Sequence, residues 1–483
     1  MKKLSMPVAI CNSNVGEVGK SLEQIPIISF DKARELYNNL YIIITSTAYG
    51  DEIEQNISAL LESKKIINIQ PYFAANTLRE NRSNDIQEKI EKHKISLRTN
   101  GNYDDLKKPE DIPEKIVHTM KALNSLQEAY KAGNDCKLVI DDYMVKGRVD
   151  FWNNSYIVKP MSLQEVMNCD EYNGVIKKSN GHLYNEELKP ITGNIERVVE
   201  NISAFSKYLH KRGISFLYVQ WPNKISPMDT QRINGEMNLN EAASKILQGL
   251  ADERVPILDY RQVMIEQNIS FSESFFKTDH HWKPIAAFHA TQALCNKIGD
   301  LVDIQFDPQL FELSNYECSI YPQLFLGGHG RRTGLLYAGV DDFELILPKY
   351  DTDYTWKCEE KNFSVRGLAH RSLLNQPHMD WCYYGLNPYV IYNIVFKGQC
   401  CITNHNARAE RKIICLCDSF TRPVSSFLAP HFSELHFVDI RGELGKEDVF
   451  ALIDKVKPDI VVMMHWPAVI VNNQSVSDIN PYL

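Results

Sequence analysis

With 483 residues the chain is long enough for two or three domains, each able to bury its own core. Its 61 acidic and 53 basic side chains leave a formal net charge of -8, which removes the electrostatic reason to expect nucleic acid or an anionic membrane surface as a partner. Eleven cysteines, an odd number, include no Cys-X-X-Cys pair of the kind that marks zinc and redox sites; they suit a reduced compartment, most of them as small buried hydrophobes.

Residues 1–73 read as an incomplete Rossmann-like α/β module. Apolar runs at 8–11, 25–29, 41–45 and 66–69 predict strands, and 33–40 and 52–62 predict helices between them. Alternation of this kind implies a parallel sheet. Only Gly16-Glu17-Val18-Gly19 stands where a Gly-X-Gly-X-X-Gly turn would bring backbone against a pyrophosphate, so dinucleotide binding is not expected. An incomplete sheet leaves an edge for a partner to cover, and the module is expected to serve protein docking. Residues 74–110 are charged and poor in apolar side chains, as a linker is. Ile112-Pro113 then opens an amphipathic helix in which Ile116, Val117, Met120, Leu123, Leu126 and Tyr130 keep helical spacing, with Gly133 as its stop. Linker and helix together occupy 74–140.

The remainder, residues 141–483, repeats βα units. A helix at 195–211 feeds a strand at 214–220 that ends in Trp221-Pro222-Asn223-Lys224. Strands at 255–258, 413–417, 435–438 and 460–464 and helices at 284–297 and 449–456 follow. Apolar strands in this pattern predict a parallel sheet covered by helices on both faces. Between about 300 and 411 the periodicity breaks into a Tyr-, Gly- and Pro-rich region, expected to be a β-rich insertion that builds a substrate wall. Its Trp356, Trp381, Tyr383 and Tyr384 are placed either to stack on sugar faces or to fill core.

The densest chemistry lies in Asp279-His280-His281-Trp282. In an extended segment side chains two apart share a face, so Asp279 would hold His281 in one tautomer while His280 points elsewhere; Trp282 adds an aromatic wall for a substrate. Far downstream, the strand at 413–417 runs into Asp418-Ser419, and Thr421-Arg422-Pro423 opens a helix. Ser419 is thereby placed at the carboxyl end of a strand, the edge at which open α/β sheets bind ligands. A serine is a weak nucleophile until an adjacent base takes its proton, which suggests a triad in the order Asp279, His281, Ser419. Alone, an Asp-X-His is commonly a hydrogen-bonding pair, and an Asp-Ser after a strand is commonly a helix cap; the pairing of the two at sheet edges makes the catalytic case. Asn223 and Lys224 reach the same edge, as substrate donors or simply as a proline turn. Gly328, in Gly327-Gly328-His329-Gly330, is an oxyanion candidate or part of a plain glycine turn. Arg331 and Arg332, with Lys224, are the nearest hint of a basic patch, and His465 at the end of the last strand is a rival base. A metal site built from Asp279, His280, His281 and His465 ranks lower, because ligands at 280 and 281 would point apart on an extended segment.

Thr278-Asp279-His280-His281-Trp282, Asp418-Ser419-Phe420, Gln220-Trp221-Pro222-Asn223-Lys224 and Gly327-Gly328-His329-Gly330-Arg331-Arg332-Thr333-Gly334 together give roughly residues 150–483 a resemblance to the DHHW proteins. These are relatives of the alginate O-acetyltransferase (AlgX/AlgJ-like) type within the SGNH hydrolase superfamily. In ordinary SGNH enzymes the serine block comes first, whereas here, as in this branch, the Asp-X-His precedes it. Cys417 stands where a glycine commonly precedes the Asp-Ser pair. The resemblance implies an SGNH-like α/β/α domain that handles acetyl esters on bacterial polysaccharides, with Asp279, His281 and Ser419 as its triad. It also implies a carbohydrate substrate and a membrane-bound acyltransferase or polysaccharide-synthesis partner. No cofactor and no metal are expected, and the acetyl donor is left open. A non-catalytic carbohydrate-binding or assembly protein is the alternative from a different class.

Lys2-Lys3 precede only a short mixed segment, 4–11, without a secretory apolar core, and no run reaches the length of a membrane span. A cytoplasmic location is therefore expected from these residues. A truncated N-terminus would instead fit the cell-envelope or periplasmic location that the resemblance implies.

Overall fold

The computed structural model describes residues 168–482 apart from 173, 186–190, 192, 229–236, 360–361, 375–378, 380, 382, 384–386, 393–397 and 442–443, together with short strands and scattered helical residues before them. Helix α1 (Ile195–His210) starts where the Asn194 side chain accepts from the Arg197 N–H at 2.9 Å. Its Ile195, Val198, Ile202, Phe205 and Leu209 form one buried stripe. Strand β1 (Ser215–Gln220) leads to α2 (Leu239–Asp252), which is closed at its N-terminus by a capping box between Asn238 and Glu241. Strand β2 (Ile257–Asp259) precedes α3 (Pro284–Val302), which opens on proline and stops at Asp303 in the left-handed conformation, φ 52°. The strands β3 (Tyr316–Phe325) and β4 (Asp341–Pro348) pair antiparallel on either side of the short helix α4 (Gly328–Thr333). There follow β5 (Tyr354–Cys358), β6 (Phe363–Gly367), β7 (Gln399–Asn404), β8 (Lys412–Cys417), α5 (Thr421–Leu428), β9 (Glu434–Val438), α6 (Lys446–Val456) and β10 (Ile460–His465).

Eight of these strands make one sheet in the order β2-β1-β10-β8-β9-β7-β5-β6. The first five run parallel, and β7, β5 and β6 extend the sheet with antiparallel pairings. In β8 the side chains of Ile413, Cys415 and Cys417 enter one apolar layer, with α3, α5 and the β3–β4 hairpin. Ile414 and Leu416 enter the other, with α1, α2 and α6. A strand buried on both faces needs apolar residues at every position, and that requirement explains the run Ile413-Ile414-Cys415-Leu416-Cys417.

The expected α/β/α architecture stands, with strand and helix ends shifted by a few residues. The expectation for 300–411 is corrected: β5, β6 and β7 belong to the central sheet, and the insertion proper is the β3–β4 hairpin with α4. Trp356, Trp381 and Tyr383 are buried in core, not presented to sugars; Tyr384 lies outside the described residues. In the N-terminal segment, Ile10–Cys11 pairs parallel with Ile25–Ile28, and Ile42–Ile44 pairs parallel with Ile66–Asn68, but as two separate sheets. The Rossmann-like module is not confirmed. The helices expected at 33–40 and 52–62, all but residues 109–110 of the linker expected at 74–110, and Leu123, Leu126, Tyr130 and Gly133 lie outside the described residues. Of the predicted helical stripe, Ile116 is buried in the main core and Met120 packs against it, whereas Val117 is exposed. Among the described residues no helix is long and apolar enough to cross a membrane.

Candidate active site

The Asp279–His281 segment is a tight loop, not an extended strand. Phe275 and Trp282 form an isolated antiparallel bridge, and the Phe276 N–H donates to the His281 carbonyl at 3.2 Å, so residues 277–281 bulge between them. Every turn of this loop is tied down. Asp341, at the start of β4, accepts from the Lys277 N–H at 3.0 Å and from the Thr278 N–H and hydroxyl at 2.8 and 2.7 Å. The Thr278 oxygens in turn accept from Gly327 and Gly330 N–H groups, both at 2.9 Å. The buried Lys224 ammonium donates to the carbonyls of Leu183, Lys277 and Asp279 at 2.9, 2.9 and 2.8 Å.

Glycine is required where α4 meets this loop. A Cβ on Gly327 would stand 2.3 Å from the Asp279 Cβ, and one on Gly330 would stand 2.4 Å from the Leu326 Cδ1. The closeness lets the Gly328 N–H donate to Asp279 Oδ2.

Held in this way, Asp279 Oδ1 accepts from the His281 N–H at 3.0 Å and meets its Nδ1 at 2.6 Å. The opposite ring nitrogen, Nε2, lies 2.8 Å from Ser419 Oγ. With Asp279 ionised, Nδ1 carries the proton and Nε2 accepts the serine hydroxyl. Burial opposes the Asp279 charge, but His280, His281 and His329 with the His281 hydrogen bond outweigh it and hold the carboxyl well below the usual range. Burial, reinforced by His280, pushes His281 down to about 3 against the pull of Asp279, so the resting imidazole is neutral. Its ring stacks on Tyr389 at 4.2 Å between centroids.

Ser419 stands two residues beyond the end of β8, at the carboxyl edge of the parallel strands. Cys417, buried at the end of β8, does not prevent the tight exit: Asp418 accepts from Phe420 N–H at 2.9 Å and from Trp466 N–H at 2.6 Å. With Phe420 N–H so engaged, the Ser419 N–H donates to no acceptor among the described residues. Ser419, His280 and Gly328 are half-buried while their neighbours are buried, which defines the accessible mouth of the site.

The remaining candidates divide. Trp282 is fully buried and donates to the Phe420 carbonyl at 2.9 Å, so it positions the serine turn instead of walling a substrate. Lys224 spends its donors on the 277–279 loop and Gly328 spends its N–H on Asp279, which corrects their reading as substrate or oxyanion donors. Arg331 is buried, and Arg332 donates to Asn185 Oδ1 at 2.7 Å; neither forms a basic patch with Lys224. Asn223 is buried and its side-chain oxygen has no hydrogen-bond partner among the described residues. His465 is buried with neither ring nitrogen paired among the described residues, its imidazole pushed down to about 3 by burial and by Arg441. The histidine within hydrogen-bond distance of Ser419 is His281. His280 does not point away, as an extended segment would require: its Nδ1 lies 3.4 Å from Asp279 Oδ1 and its ring 3.9 Å from that of His281. Asp341 was missed in the sequence because nothing near it marks its three long-range contacts.

The architecture is thus a parallel-centred α/β/α sandwich with Asp279, His281 and Ser419 gathered at its carboxyl edge. Residues 179–322, which include the Asp279–Trp282 tetrad but not Ser419, match the family model described as SGNH hydrolase-like domain, acetyltransferase AlgX. Bacillus cereus PatB1 is similar in structure at 19% identity and a TM-score of 0.50, over 62% of this chain and 97% of that one, and shares its fold. A DHHW family protein from Eubacterium siraeum aligns at 18% identity and a TM-score of 0.47, over 64% of this chain and 96% of its own. The O-acetyltransferase domain of Pseudomonas putida AlgJ aligns at 14% identity and a TM-score of 0.40, over 64% and 99%. No curated protein matches the chain at a significant level.

Replacing Lys224 by Met takes a donor from the buried Leu183 and Asp279 carbonyls, while the Lys277 carbonyl keeps the Leu183 N–H, and is expected to cost about 2–4 kcal/mol in denaturant unfolding. Because the loop it holds carries Asp279, kcat should fall roughly 10- to 100-fold with little change in KM. A raised KM with unchanged stability would instead mark a substrate contact.

Proposed function

We propose that the protein performs serine-dependent acyl-ester chemistry, transferring an O-acetyl group to a bacterial cell-surface polysaccharide or its precursor. The observation that carries this reading is the linear arrangement of Asp279, His281 and Ser419 on opposite nitrogens of one neutral imidazole. The description of the matching family model, which names an acetyltransferase, supports acetyl as the acyl group. Ser419 Oγ attacks the acetyl carbonyl carbon as His281 Nε2 takes its proton, and Asp279 stabilises the imidazolium that forms. The oxyanion is met by the Ser419 N–H and by the side-chain amide of Asn223, neither of which donates to an acceptor among the described residues. His281 returns the proton to the departing donor alcohol. It then takes the proton of a sugar hydroxyl, which attacks the acetyl-serine and frees Ser419; water in place of the sugar makes the reaction ester hydrolysis. A carbohydrate acceptor and an acyl-supplying partner of the polysaccharide machinery belong to the same proposal.

Asp279, His280 and His281 offer ligand atoms within 4.8 Å of one another, so they converge where an extended segment would have separated them. This favours a second reading, a metal-dependent hydrolase, which predicts chelator-sensitive turnover.

Acetyl-ester turnover measured with and without an oligosaccharide acceptor tests the first reading. Ser419→Ala is expected to lower kcat at least about 10³-fold, and an acceptor should divert product from acetate to acetylated sugar. Undiminished turnover in Ser419→Ala contradicts it. Since the base must be unprotonated and burial lowers its pKa, activity should persist as pH falls below the ordinary histidine value of about 6.5. An acid limb of kcat/KM at or above that pH would contradict a neutral buried His281.

A further inference from the structure

A second histidine-centred cluster lies on the central sheet away from the triad. Cys401 on β7 stands opposite His436 on β9 in their antiparallel pairing, and Glu434, two residues before His436, shares its face. Glu434 Oε1 lies 2.6 Å from His436 Nε2, and Cys401 Sγ lies 3.8 Å from the same nitrogen. One ligand atom from each residue falls within 4.8 Å of the others. The geometry differs in kind from the triad. A proton relay needs its acid and nucleophile on opposite ring nitrogens, as Asp279 and Ser419 are on His281. Here carboxylate and thiol both approach Nε2, and the other nitrogen, Nδ1, is buried without a partner among the described residues. Convergence of a thiol, a carboxylate and an imidazole nitrogen on one point suits a shared cation.

We propose that Cys401, Glu434 and His436 bind one borderline-soft divalent cation of the Zn²⁺ class. Binding releases the Cys401 thiol proton to solvent and forms a sulfur–metal bond; thiolate and carboxylate then balance the two charges of the ion. The three side chains are the number found in zinc sites whose fourth position is taken by water. Glu434 is 30% exposed and provides a way in, while His436 is 9% exposed and fixed between the strands. Lys412 meets the other Glu434 oxygen at 3.6 Å and orients the carboxylate. The nearby Lys357 and Lys455 are paired with Glu359 at 2.9 and 3.8 Å. Glu434 pairs with Lys412 at the start of β8, so the cluster sits at the sheet edge opposite Ser419, about 20 Å away along the strand. It spans the β7–β9 seam where the sheet changes from parallel to antiparallel. An ion there clamps the antiparallel extension to the parallel core and takes no part in acyl transfer.

The full chain, stripped of metal and titrated with Co²⁺, should develop one equivalent of thiolate-to-cobalt charge-transfer absorption that Zn²⁺ abolishes. Cys401→Ser should lose the band and His436→Gln should bind at least about tenfold more weakly. His281→Gln, altering the other convergent cluster, should keep the band. No band in the wild-type chain, or an undiminished band in Cys401→Ser, overturns the proposal. If Cys401→Ser does not fold, alkylation of the wild type decides: Zn²⁺ should shield Cys401 in peptide mass maps, and unshielded Cys401 overturns the proposal.

Discussion

Everything at the Ser419 edge depends on one constraint, a buried carboxylate kept charged. Asp279 is almost completely desolvated, and a carboxylate in that position is costly unless donors and nearby positive charge meet it. The protein supplies the donors. Gly328 and His281 N–H groups and the His281 ring donate to its two oxygens, while Lys224 and Asp341 fix the backbone that presents it. The glycines at 327 and 330 follow from the same constraint, since any side chain there would collide with the loop or its neighbours. The charge on Asp279 then fixes the tautomer of His281, and the tautomer leaves Nε2 to Ser419.

The sheet explains how two segments 138 residues apart meet. Parallel strands end at one edge, so the exits of β1, β8 and β10 deliver Asn223, Ser419 and Trp466 to the same side. The 277–281 loop is brought over that edge by the β3–β4 hairpin through Asp341 and by α4 through its glycines. Trp282 closes the arrangement by donating to the Phe420 carbonyl, so the residue after His281 also positions the residue after Ser419.

Much of this was legible in the residues. The run Ile413-Ile414-Cys415-Leu416-Cys417 announced a doubly buried strand and so placed Ser419 at its end, because burial on both faces leaves a signature in every position. The pairing of Asp279 with His281 was legible because it is local. What depended on distant partners was not. Lys224 looked like a substrate donor because the three carbonyls that engage it lie in other segments. Gly328 and Trp282 were misread for the same reason. Strands β5 to β7 were hidden because an antiparallel sheet extension alternates polar and apolar residues, as in Lys357 beside Trp356 and Cys358. The Cys401, Glu434 and His436 cluster shows no ligand spacing in the sequence, since strand pairing alone brings Cys401 to the other two.

The most direct measurement is to trap the covalent intermediate. With an activated acetyl ester under single-turnover conditions, peptide mass mapping should find acetyl on Ser419 in the wild-type chain and none in His281→Ala. Acetyl-ester turnover without any acetyl on Ser419, or equal labelling of Ser419 in His281→Ala, would contradict a serine nucleophile activated by His281.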